Sequence, residues 1–164
     1  MLANILDTGR LCILLFRISA WFQHKPFRPC RWVAFFLYRL NLFLTGADIP
    51  PTVQIGQNFK IPHPVGVVIG RKTIIGNSVK IMSGVVFGSP DAYLDEFGEM
   101  FPILNDHVFV GANSVVLGNI TLGPYTIVGA GSVVTKSYTE GYAMIGGNPA
   151  IKIKDYSPDF QVQV

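Results

Sequence analysis

Charge is what this chain has least of: 14% of it is Asp, Glu, Lys or Arg, against 49% hydrophobic residues. So little charge, with 17 glycines, excludes a disordered solvating chain. It implies extensive buried surface, either internal or shared with other subunits. Cysteine is nearly absent. Cys12 and Cys30 stand at no metal-ligand spacing, so reduced thiols in a cytoplasmic protein are expected rather than a disulfide framework. Long apolar runs are missing too. Arg17 and Arg39 interrupt the two front ones before they reach the roughly 20 residues that span a bilayer. No small-residue cleavage site follows an uninterrupted apolar core, so no signal peptide is expected. No metal-ligand cluster, phosphate loop or basic nucleic-acid stripe is visible, so neither a metal nor a nucleic-acid partner is expected.

The little charge there is lies unevenly. Residues 1–46 carry Arg10, Arg17, Lys25, Arg28, Arg31 and Arg39 against Asp7 alone, whereas the remainder has seven basic and nine acidic residues. Leu11, Leu14, Leu15, Ile18 and Phe22 fall on one helical face, and Lys25-Pro26-Phe27-Arg28-Pro29 breaks the chain. A second helix is expected over about 31–44, with Phe35, Phe36, Leu40, Phe43 and Leu44 prominent. A basic, apolar front end suits either packing on the body or another subunit, or an in-plane contact with a membrane surface.

From Leu104 the chain reads in sixes. Leu104, Val110, Val116, Leu122, Val128 and Val134 open successive blocks, often followed by Gly, with Val108, Ser114, Ile120, Thr126 and Ser132 at the fifth place. Six fits neither a helix nor a flat strand, so the repeat itself needs explaining. A β-helix does so: each hexapeptide is a short strand plus a corner, three make one coil, and the aliphatic openers stack into a core. Gly, Asn and Asp supply corners that need positive φ.

Upstream the same period holds through Ile49, Ile55, Ile61 and Val67, slips by two, and resumes at Ile69, Ile75, Ile81 and Phe87. The slip implies a corner that bulges outward at Pro62-His63-Pro64-Val65-Gly66, where two prolines stiffen the backbone around His63. The phase fails altogether over residues 89–101, read as an extruded loop that either recognises the acceptor or braces an oligomer. The expected organisation is a helical segment 1–45, a β-helix 46–151 carrying that loop, and a tail 152–164.

Thr45-Gly46-Ala47-Asp48-Ile49, Ile61-Pro62-His63-Pro64-Val65-Gly66, Gly111-Ala112-Asn113, Val116-Leu117-Gly118-Asn119-Ile120, Gly129-Ala130-Gly131-Ser132 and Gly146-Gly147-Asn148-Pro149-Ala150 together resemble the left-handed β-helix acyltransferases, within them the serine acetyltransferase-like group. The front segment looks more like the short apolar leaders of capsular and exopolysaccharide O-acetyltransferases. The resemblance implies an all-β fold, a left-handed parallel β-helix with a short α-helical N-terminal segment, assembled as a homotrimer with acetyl-CoA as co-substrate. It also implies a general base, His63, oriented by Asp48 fifteen residues earlier. A neutral imidazole takes the proton of an alcohol as it attacks the thioester, and a carboxylate on the other ring nitrogen fixes the tautomer. CoA is expected along Gly88, Gly111, Ala112, Gly129, Ala130, Asn148 and Pro149, with Lys136, Lys152 and Lys154 near its phosphates. His107, in a regular hexad, is expected to be structural or solvent-facing, and His24 unrelated.

Three positions depart from the serine acetyltransferase pattern: Pro62, Met100 and Phe101 stand where that group meets the charged ends of its amino acid. The expectation is therefore a hydroxyl of a surface polysaccharide or its saccharide precursor, held by Tyr93, Asp95, Phe97 and Phe101. The expected location is cytoplasmic, with the front segment at the inner face of the membrane if it docks there. Two rivals stay open: serine O-acetylation, and a non-catalytic β-helix scaffold.

Overall fold

The computed structural model describes residues 7–89 and 101–156. Two helices lead, α1 (Thr8–Gln23) and α2 (Arg28–Thr45). The Asp7 side chain caps α1 by accepting from the Gly9 amide at 3.0 Å. Gly46 ends α2 in the left-handed region at φ 71°, its amide donating to the Leu42 carbonyl.

Short strands then wind a left-handed parallel β-helix with three faces. One face holds β1 (Gln54–Ile55), β3 (Ile74–Ile75), β6 (Ile103–Leu104) and β9 (Thr121–Leu122). A second holds β2 (Val68–Ile69), β5 (Val86–Gly88), β8 (Val115–Leu117) and β11 (Val133–Val134). The third stacks β4 (Lys80–Ile81), β7 (Phe109–Val110), β10 (Ile127–Val128) and β12 (Ala143–Gly147), and closes with the antiparallel β13 (Ala150–Asp155).

Pairing registers measure the repeat. Val115 meets Val133 and Phe109 meets Ile127, eighteen residues apart, or three hexads per coil. Gln54 meets Ile74 at twenty, and so do Asp48 with Val68 and Lys60 with Lys80. The two-residue slip is therefore real and falls in the His63 corner. Ile74 meets Ile103 and Val86 meets Val115 at twenty-nine, so eleven extra residues lie between Gly88 and Ile103.

Inside the coils the openers form three columns: Ile69, Phe87, Val116 and Val134; Ile75, Leu104 and Leu122; Ile81, Val110, Val128 and Ile145. All are at most 2% exposed. Each such burial contributes roughly 1.5–3 kcal/mol. The residue two places earlier is buried too, as at Val79, Val85, Val108 and Ser114.

The hairpin packs across the first coil through Cys12 and Phe16, which join the core cluster with Ile49, Val53, Phe59 and Ile61. A Cβ on Gly9 would lie 2.0 Å from the Ile61 carbonyl oxygen, so only glycine lets α1 come this close. The buried faces are Gly9, Cys12, Phe16 and Ser19 on α1, and Ala34, Asn41 and Thr45 on α2. The large side chains prominent in the sequence mostly point the other way. Leu14, Ile18, Phe35, Phe36, Phe43 and Leu44 are exposed, because two helices meeting closely need small residues between them.

Candidate active site

One corner of the coil gathers His63, Gly111, Ala112, Gly129 and Ala130. It follows β4, β7 and β10, and an amide–carbonyl ladder runs down it. Gly66 donates to Gly46, Gly84 to Val65, Asn113 to Ser83 and Gly131 to Ala112, at 2.8–3.0 Å. Each donor, and Gly46 at the top, is left-handed, with Asn113 the non-glycine among them at φ 57°. Gly111-Ala112 on one coil lies directly over Gly129-Ala130 on the next. A Cβ on Gly111 would come 2.5 Å from the Ala130 amide nitrogen. The Gly129 carbonyl accepts from the Ser114 and Ser132 hydroxyls at 2.9 and 2.6 Å, so buried serines pin the strip from behind. Asn148 and Pro149, joined by a cis peptide, form the exposed turn between β12 and β13 on the coil below that strip.

His63 projects from the same corner. The bridge between Lys60 and Lys80 keeps the backbone in register up to the bulge, and the ladder resumes at Gly66. Within the bulge Pro64 is buried while His63 and Val65 are exposed, so the extra residues push the imidazole outward from an anchored base.

Asp48 sits just past this corner on the coil above, half-buried and bridged to Val68. No hydrogen bond joins it to His63 among the described residues. Its Oδ1 instead accepts from the Tyr38 hydroxyl at 2.5 Å. Burial, then the Asp48 carboxylate, pushes the Tyr38 phenol up to about 12. Sequence reasoning missed Tyr38, which lies inside an aromatic helical run and carries no motif. The sole hint was that it bears the hydroxyl among the aromatic rings at 35–38.

Gly88 and Lys136 lie elsewhere. Gly88 ends β5 and Lys136 follows β11, both on the second face, so they stand one corner away from the Gly111–Gly129 strip. Lys136 is exposed. Lys152 pairs with Asp155 at 2.9 Å and Glu140 at 3.7 Å, and Lys154 lies over the Tyr156 ring. Tyr93, Asp95, Phe97 and Met100 lie outside the described residues. His107 stacks on Tyr125 at 4.5 Å and Tyr125 on Tyr142 at 4.9 Å, an aromatic ladder on the third corner. No group of three or more His, Cys, Asp or Glu able to hold a metal occurs among the described residues.

Residues 101–136 match the bacterial transferase hexapeptide family (six repeats), and the chain is a hexapeptide-repeat protein. Within that class it is serine acetyltransferase-like. A serine acetyltransferase of Helicobacter pylori is 35% identical over 119 residues, covering 73% of this chain and 66% of the relative. One of Staphylococcus epidermidis is 38% identical over 100 residues, covering 60% and 46%. The solved serine acetyltransferase of Brucella abortus in complex with coenzyme A superposes with a TM-score of 0.82 at 26% identity, covering 93% of this chain and 58% of that one. That of Neisseria gonorrhoeae gives 0.83 at 28% identity, covering 93% and 57%. The chain thus spans about half the length of the S. epidermidis relative.

These relatives overturn the expected saccharide acceptor and the likeness to capsular and exopolysaccharide enzymes, since serine acetyltransferases are what the chain matches in sequence and fold. Phe101, one of the expected acceptor contacts, lies against the second face of the coil. Its ring is packed against Gly70, with Cε1 2.1 Å from where a Cβ there would stand. The edge of that ring is thus held against the coil, and the residue is half-buried.

Proposed function

We propose that this protein is an acetyl-CoA-dependent serine O-acetyltransferase that works as a homotrimer, with His63 as general base. The observation that carries the reading is the coincidence of the serine acetyltransferase match with an exposed, proline-braced imidazole on the corner that also carries the Gly111–Ala112 and Gly129–Ala130 strip. The small residues along that edge let an extended pantetheine arm lie against backbone. His63 takes the serine hydroxyl proton as the oxygen attacks the thioester carbonyl. The tetrahedral oxyanion, stabilised by backbone amide donors, collapses to the O-acetyl ester, and the CoA thiolate leaves with the proton returned by the imidazolium. Asp48 supports the imidazolium through its negative charge, and Tyr38 fixes that carboxylate in place.

The test is thiol release from acetyl-CoA with L-serine as acceptor. Serine-dependent release is expected, and His63→Ala should lower kcat by roughly 10²–10⁴-fold while CoA still binds. A wild type that releases thiol no faster with serine than without it overturns the acceptor. Near-native turnover by the variant overturns the base. Light scattering should give three times the chain mass.

A further inference from the structure

The outer face of the helical hairpin has the wrong composition for a face left in water. On α2, Arg28, Trp32, Phe36, Arg39 and Phe43 follow one another at helical spacing, on the side opposite the buried Ala34, Asn41 and Thr45. Phe43 is 85% exposed, Trp32 76% and Phe36 64%. On α1, Leu14, Ile18 and Trp21 repeat the pattern, and Lys25 Nζ sits 4.2 Å from the Trp21 ring centre. Where the helices turn, Gln23, Arg28, Arg31, Trp32 and Phe35 line an open recess of about 420 Å³. Between Asp7 and Asp48 there is no acidic residue, against six basic ones.

We infer that this face docks on an anionic lipid bilayer, with the aromatic rings at the headgroup–acyl boundary and Arg28 and Arg31 on lipid phosphates. The inference goes beyond the acetyltransferase reading and does not depend on it. Charge complementarity selects the occupant. A second copy of the same face would set basic residues against basic residues with no acid to answer them, whereas an anionic leaflet attracts each one. Exposed Trp and Phe beside arginine is the composition of helices that lie in a membrane interface. No helix among the described residues is long and apolar enough to cross a membrane, so the contact is in-plane.

The experiment is co-sedimentation of the full chain with vesicles containing phosphatidylglycerol, against pure phosphatidylcholine, at low and high salt. Binding to the anionic vesicles is expected, weakened by salt. Each of Arg28→Gln and Arg31→Gln should weaken it roughly fivefold. The triple variant Trp32→Ser, Phe36→Ser, Phe43→Ser should weaken it at least about tenfold. The arginine variants change exposed groups and should melt as the wild type does, so they decide the matter even if the triple variant aggregates. Absence of binding at low salt, or binding unchanged by the arginine substitutions, overturns the inference. So does a triple variant whose assembly mass falls while vesicle binding holds, which would assign the face to a second copy. Loss of vesicle binding with serine-dependent thiol release intact would separate this surface from the catalytic site.

Discussion

The β-helix buries mostly Ile, Val, Leu and Phe, with a few Ser and Thr among them, while the hairpin buries Phe16 together with the small or polar Gly9, Cys12, Ser19, Ala34, Asn41 and Thr45 and turns Trp32, Phe36 and Phe43 outward. In the coils, hydrophobic columns supply the stability and each coil completes the one before it. In the hairpin, shape and hydrogen bonds hold the interior together. The Ser19 hydroxyl donates to the Ala34 carbonyl at 2.8 Å, Asn41 Nδ2 to the Cys12 carbonyl at 3.1 Å, and the Thr45 hydroxyl to the Asn41 carbonyl at 2.8 Å. A buried polar group is tolerable on such terms and costly without them. The coil stack is thus explained by the chain alone, whereas the hairpin's outer face is explained by whatever covers it.

The contrast breaks most severely at a core column. Phe87 is fully buried and paired in register with Ile69 and Val116. Phe87→Ala should cost about 3–5 kcal/mol, measured by urea denaturation. A loss below 1 kcal/mol would show that the stack relaxes around a cavity and that its columns do not set its stability. The hairpin should fail for a different reason, by crowding. Gly9→Val places atoms where the Ile61 carbonyl already stands, and the hairpin must lift to admit them. About 1–3 kcal/mol should be lost, with protease cutting appearing in 1–45 before the coils unfold. Simultaneous cutting throughout would mean that the two regions unfold as one.

How much of this was legible in the sequence differs in the same way. The coils announced themselves because one residue in six must face the axis, so Leu104 to Val134 reads as a ruler. Even the two-residue slip at His63 survives as the twenty-residue pairing of Asp48 with Val68. The hairpin was legible as two helices but not as to which face packs. Periodicity marks an apolar stripe without saying what meets it, and here close approach favoured the small residues. Within the site, the Gly111–Gly129 strip was readable because identical hexad positions stack. Gly88 is expected along the same CoA path and Lys136 near the CoA phosphates, and their hexad phase sets both one corner away from that strip. Tyr38 was out of reach, since its bond to Asp48 joins a helix to the first coil.

Tyr38 is where the two regions touch the chemistry, and its removal should have an intermediate effect. Tyr38→Phe deletes a hydrogen bond to a carboxylate and should cost about 1 kcal/mol at neutral pH. The pH dependence reads the raised phenol, which burial lifts first and the Asp48 carboxylate second. The phenol's folded value is raised to about 12, against about 10 for an unfolded tyrosine. Its contribution is therefore complete below pH 10 and disappears as pH rises through 12. The gap in stability between wild type and Tyr38→Phe should close over that interval, because the other tyrosines titrate alike in both proteins. A gap that stays constant from pH 8 to pH 12 would mean that the Tyr38 phenol is not raised in the folded protein.

The smallest effect expected is a gain, and it tests the comparison from the coil side. Thr73 is 0% exposed, at a place in the hexad where Val79 and Val85 stand in neighbouring blocks. Its hydroxyl has no hydrogen-bond partner among the described residues. The backbone has no need of it, since the Thr73 amide already donates to the Gly70 carbonyl at 3.0 Å. Here, then, is a polar atom in the apolar stack without the compensation that Ser19, Asn41 and Thr45 receive in the hairpin. Thr73→Val keeps the branched shape and replaces a buried, unpaired hydroxyl with a methyl group. The coil should become more stable by about 1 kcal/mol, a shift of a few degrees in melting temperature. The matching change in the hairpin, Thr45→Val, removes a donor that is bonded and should move stability the other way. If both substitutions destabilise to the same degree, polar atoms are tolerated equally in the two regions, and the division between a hydrophobic stack and a hydrogen-bonded hairpin fails at the level of single atoms.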